Sequence, residues 1–315
     1  MSTSVRTSTT PTTTSATASV TARTTTPSIL PVPADRRTRN GIAGTVLRAF
    51  RRAPGLVLAA VVLTIVIAWA LVPDLFTEQD PLMGEPADRL QAPSTAHLLG
   101  TDHLGRDVLS RVVHGAAASL GTTAIAVLIA FGAGTLLGVV SGFLGRGVDA
   151  VVMRLIDVLQ SIPGLLLSMS VVVALGFGSV NIALAVALAS IPAFARVARG
   201  EVLRWRSTLF VEAARLSGIR TPEIIGRHVL PHAVAPVFAL AALEFGSAIL
   251  AVSALSFLGY GAPPPQPEWG LLVSEGRDFL ASAWWLTTLP GLVIAGVVLS
   301  VNRIARSIGS GRRLS

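Results

Sequence analysis

Few residues in this sequence are placed to do chemistry. His228 and His232 stand four apart, a spacing that can set two imidazoles on one helix face, as zinc sites use. Pro231 lies between them and no carboxylate follows at ligand spacing. They read as polar helix-end residues, so no metal and no other cofactor is expected. Asp157 and Glu244 lie inside long apolar stretches, where ionisable groups are costly and mark pathways, proton relays or contacts with a partner. Asp157 falls about two turns from one end of its stretch. It reads as structural, pairing with Arg154 or reaching back to the interface. Glu244 falls about three turns in, with no basic residue on the same stretch. It reads as facing a watery pathway or a partner subunit.

The chemistry that is missing is equally informative. A P-loop NTPase needs a lysine on the phosphates, and all 25 basic residues here are arginine. The sequence has no G-x-S-x-G, no H-E-x-x-H and no cysteine. No catalytic residue can be nominated, and an enzyme reading has nothing to stand on.

The elements that must position Asp157 and Glu244 follow from hydropathy. Apolar residues make up 51% of the chain and charged residues only 13%, with mean hydropathy +0.67. A soluble domain carries about 25% charged residues, so a bilayer is the natural place for the excess apolar surface. Six stretches can cross a hydrocarbon core of about 30 Å. They run over about 55–72, 119–143, 151–175 (interrupted by Pro163), 180–197, 233–258 and 284–304. Residues 1–45 are rich in Thr, Ser and Pro and lack an apolar core, which predicts a disordered tail rather than a signal peptide.

The net charge of +8 could suggest nucleic acid, but the arginines sit at the ends of the apolar stretches. They cluster before the first stretch, at Arg146 and Arg154, from Arg196 to Arg227, and from Arg303 onward. Only Arg89, Arg106, Arg111 and Arg277 fall in the alternate connections. The positive-inside rule then predicts both termini in the cytoplasm. Gly134, Gly138 and Gly142 leave one face of the second stretch bare. A neighbouring backbone can approach closely there, most simply within the same chain.

Between the fourth and fifth stretches the chain reads Phe210-Val-Glu-Ala-Ala-Arg-Leu-Ser-Gly218, then nine residues, then His228-Val-Leu-Pro231. Helix formers precede Gly218, which can supply a left-handed turn, and Pro222 suits the first turn of a following helix. The pattern resembles the EAA motif of ABC importer permeases, matched here by Glu212, Ala213, Ala214, Gly218, Leu230 and Pro231. Two further stretches resemble the peptide/nickel branch of that family: Leu99-Gly-Thr-Asp-His-Leu-Gly-Arg-Asp-Val-Leu-Ser-Arg111, and Ser256-Phe-Leu-Gly-Tyr-Gly261 followed by Pro263 to Gly270. Met153-Arg-Leu-x-Asp157 with Pro163 also fits. Ala117 departs from the Arg usual there, His232 stands where Asn often follows Leu-Pro, and the usual C-terminal Gly-Asp-x-Leu-Arg-Asp stretch is missing.

The resemblance implies an all-α membrane protein with six transmembrane helices and the type I ABC importer permease fold. It implies a first helix and outer loop over residues 46–116 and a permease domain over 117–307, with the EAA loop at about 207–235. It further implies a multi-pass protein of the bacterial cytoplasmic membrane that translocates dipeptides, oligopeptides, nickel or another small solute. The implied partners are a second homologous permease subunit, two ABC ATPase subunits that hydrolyse the ATP, and an extracytoplasmic solute-binding protein. In the family the EAA loop docks into the ATPase. The rival from another class is an ion-coupled secondary transporter with Asp157 or Glu244 carrying the coupling proton. It would call for inverted repeats and a mid-membrane acidic cluster, and neither is evident.

Overall fold

The computed structural model describes residues 54–206, 208, 223 and 230–311, with the backbone alone for 230–235 and 308–311. The described residues form eight α-helices: α1 Pro54–Leu71, α2 Val108–Leu144, α3 Arg146–Ser161, α4 Gly164–Leu175, α5 Ser179–Arg206, α6 Leu230–Phe257, α7 Trp269–Gly276 and α8 Trp285–Gly311. Short 3-10 turns occupy Pro73–Leu75, Pro86–Asp88 and Arg277–Phe279. Helices α1, α2, α5, α6 and α8 are each long and apolar enough to cross a membrane, and α3 with α4 makes a sixth, broken span.

The break follows from the sequence. Proline disfavours helical backbone in the residue before it, and Ile162 is extended at φ −96°, ψ 129°. Pro163 then opens α4, and the two halves meet at 93°. The expected third span is therefore no straight helix, and α3 buries only Ile156.

Helix α2 begins eleven residues before the expected second span. Asp107 accepts from the Ser110 N–H at 2.8 Å, satisfying one of the unpaired donors of the first turn. With 37 residues the helix is about 55 Å long, well beyond a hydrocarbon core. Its first turns belong to a cap built by the 72–107 and 258–284 connections.

The bare glycine face packs against α5 in the same chain. A Cβ on Gly138 would lie 2.3 Å from the Ala195 carbonyl oxygen, and one on Gly134 2.5 Å from the Phe194 Cβ. Around this contact Ala126, Ala130, Val172, Ile182, Val186, Phe194, Val252 and Leu255 form one apolar core. A second core joins α1, α2, α6, α7 and α8 through Val66, Val112, Ile249, Trp269, Trp285 and Val297.

Candidate functional site

The two intramembrane acids separate in the structure. Glu244 stands midway along α6 and lines a cavity of about 250 Å³ between α5, α6 and the α3–α4 break. Gln160, Ser168, Ser190 and Ser247 share its walls. No described residue forms a hydrogen bond or ion pair with Glu244, and no other lining side chain is charged. Asp157 lies one turn before Gln160 and binds Arg196 Nη2 at 2.7 Å. Its expected partner Arg154 is replaced by a residue 39 positions away on α5. The bend in the broken span turns α3 toward α5, which brings Asp157 to Arg196.

A second pairing ties α3 to α5. Arg199 reaches Asp149 with Nε at 2.5 Å and Nη2 at 2.6 Å, and the Ser141 hydroxyl donates to the same carboxylate. Such fork-to-fork contacts are the strongest kind of surface ion pair. They fix the orientation of α3 beside the arginine-rich end of α5. Of the EAA residues, Glu212, Ala213, Ala214 and Gly218 lie outside the described residues. So does His228. Leu230 and Pro231 open α6, where a proline in the first turn loses no helical hydrogen bond.

At the opposite end the two branch-specific stretches meet. Gly100 and Gly105 adopt φ of +77° and +79°, so the 100–107 loop can fold back and pair Thr101 with Asp107. This aims Asp102 inward. Its carboxylate accepts from Arg106 Nε at 2.7 Å and Arg111 Nη1 at 2.8 Å. Arg111, only 1% exposed, also reaches Glu275 on α7 at 2.6 Å. Burial pushes the Asp102 pKa up. The N–H groups of Arg106 and Leu104 and the two guanidinium charges outweigh it, so Asp102 titrates below its ordinary value. Trp269 seals the inner side, its indole donating to the Val112 carbonyl at 2.9 Å. Trp285 donates to the Thr101 carbonyl at 3.2 Å.

Glu275 was not singled out from sequence, although a lone acid in the apolar Trp269–Gly276 helix is a usable signal. Glu268 was missed as well. It is 3% exposed beside Ser256 and Gly270, and burial raises its pKa to about 7.

A membrane-spanning helical core, a broken span beside a polar cavity and a closed ionic cap make up a multi-pass membrane protein. Residues 134–313 match the family described as binding-protein-dependent transport system inner membrane component, and the chain belongs to that family. It is 36% identical over 274 residues to a dipeptide transport system permease protein of Alkalihalophilus pseudofirmus, covering 87% of this chain and 90% of the relative. A probable D,D-dipeptide transport system permease protein of Escherichia coli is 37% identical, covering 79% of this chain and 84% of the relative. A glutathione transport system permease protein of Pectobacterium atrosepticum is 41% identical over 68% of this chain and 72% of the relative. Among solved structures, the MetNI methionine ABC transporter in an inward-facing conformation shares the fold at TM-score 0.51 and 18% identity. That match covers 63% of this chain and 96% of the MetNI chain. The fold is thus that of a type I ABC importer permease, and the chain is a transport subunit of the cytoplasmic membrane.

Proposed function

We propose that this chain carries dipeptides or short oligopeptides across the cytoplasmic membrane as one of two permease subunits of an ATP-driven importer. The observation that carries the substrate class is the agreement of the relatives: permeases named for dipeptides and for glutathione match most of the chain. Two ATPase subunits supply the energy, a binding protein on the outer side delivers the peptide, and a second permease completes the pathway. Both termini lie in the cytoplasm, in keeping with the arginine distribution. Residues 1–45 form the cytoplasmic tail, 46–116 the first helix and outer loop, and 117–307 the permease domain.

In this reading Glu212, Ala213, Ala214, Gly218, Leu230 and Pro231 belong to the element that docks into the ATPase. ATPase closure pushes on the loop between α5 and α6. Both helices wall the Glu244 cavity, so a rigid-body tilt of the pair changes which side the cavity opens to. Glu244 lines the pathway, and Asp157, tied to Arg196, holds α3 against α5 while they move.

Co-expression with the ATPase, second permease and binding-protein subunits tests the assembly. The chain should co-purify with both ATPases, and vesicles holding the complex should take up labelled dipeptide but not nickel. Nickel uptake in place of peptide would reassign the substrate. A chain that purifies without ATPase and still transports would support the secondary-transporter alternative.

A further inference from the structure

We propose that Glu244 is the cation-binding point of the pathway and takes the ammonium group of the peptide in transit. The proposal rests on the permease reading and adds the chemistry of one step in it. Three observations carry it.

First, the position is costly without a purpose. Glu244 sits near the middle of a 28-residue apolar helix. Carboxylates at such depth face a partner or a watery cavity. Second, no partner is at hand among the described residues. Arg196 lies one turn beyond the cavity-lining Ala193 but is engaged by Asp157 at 2.7 Å. Arg199, a further turn along, is held by both oxygens of Asp149. Arg196 and Arg199 are therefore each paired with an aspartate, and the wall keeps one carboxyl group with no cationic partner among the described residues. Third, the surroundings suit a small polar solute. The space of about 250 Å³ far exceeds the ~10–15 Å³ that one water needs. Gln160, Ser168, Ser190 and Ser247 supply donors and acceptors along the walls. Where α3 and α4 part at 93°, Gln160 and Gly164 on either side of the break line the cavity.

A fixed carboxylate with hydroxyl and amide neighbours, and no other charge, selects a small solute bearing a positive group. The ammonium of a zwitterionic peptide is such a group. A single charge-assisted contact holds it without trapping it, as a conducting pathway requires.

The chain has no native cysteine, so the cavity can be probed directly in the assembled complex. Ser247, exposed on the cavity wall, is changed to cysteine. Its modification is followed on this chain with a cationic trimethylammonioethyl and an anionic sulfonatoethyl methanethiosulfonate, each normalised to its rate with a free thiol. The normalised rates should favour the cationic reagent by about tenfold. Glu244→Gln should bring them close to equal, and Glu244→Asp should keep the preference. Alanyl-alanine should slow modification when Glu244 is present and not when it is Gln. Equal rates with Glu244 in place, or a preference and peptide protection that survive Glu244→Gln, would overturn the proposal. Uptake of alanyl-alanine by the same Ser247→Cys complex, with Glu244 intact, separates the two levels. No uptake contradicts the peptide-importer reading. Uptake combined with an unchanged reagent preference in the Gln variant removes the cation site alone.

Discussion

Arg111 and Glu275, 164 positions apart, meet at 2.6 Å inside the cap and share Asp102 and Arg106 as neighbours. The contact joins the first turn of α2 to α7 and so closes the end of the helical core away from the arginine clusters. A guanidinium between two carboxylates compensates both, and removing it leaves Asp102 and Glu275 to share Arg106 alone.

Arg111→Met should therefore destabilise the chain by about 3–5 kcal/mol. Thermal unfolding in detergent would register this as a lowered midpoint and reduced yield. Arg111→Lys should recover only part, because an ammonium cannot reproduce the planar fork. A midpoint equal to wild type for Arg111→Met would show that the network is electrostatically neutral to folding.

Glu268 sets a pH dependence. Its carboxyl titrates at about 7 in the fold and near 4.3 in an unfolded chain. Between these values the folded state holds the extra proton, so stability contributed by the protonated form falls as pH rises from about 4.5 to 7 and is flat above. Glu268→Gln should flatten that slope and be more stable than wild type at pH 8. Unfolding midpoints measured across pH 5–8 check it, and parallel curves for the two proteins would contradict it.

The α2–α5 contact makes a paired prediction. Gly138→Val must push apart two backbones, because even a Cβ would lie 2.3 Å from the Ala195 oxygen. Membrane abundance should drop sharply. Gly132→Ala, which meets nothing within 4 Å, should leave abundance unchanged or slightly raised. Similar abundance of the two variants would mean that the helices separate at little cost.

Much of this architecture was legible in sequence because it is local. Hydropathy located the long helices, and four-residue glycine spacing marked the α2 face that meets α5. Pro163 marked the break in the third span. The 93° turn was not legible, since proline ends a helix without dictating the direction in which the chain resumes. The early start of α2 was written in Asp107 and Ser110, but charged and polar residues there held hydropathy below that of a span. Pairings over long separations were out of reach: Asp157 with Arg196, and Arg111 with Glu275, depend on how helices pack. Glu244 was recognisable as a misplaced charge, whereas the cavity around it needed α3, α4 and α5 in place.

The central claim is that this chain converts ATP hydrolysis by its partners into peptide movement through the α5–α6 loop. Glu212→Arg and Gly218→Val test it most directly, because neither position falls in an apolar stretch of the sequence. A charge reversal at the proposed docking surface and a Cβ at the turn expected from the sequence should disrupt coupling without disrupting insertion. The measurement is ATP-driven uptake of labelled dipeptide into vesicles holding the complete complex, with ATP turnover read in parallel. The account predicts normal membrane abundance, loss of uptake, and ATP turnover that is either abolished or independent of the binding protein. Wild-type uptake with normally regulated turnover in both variants would contradict it.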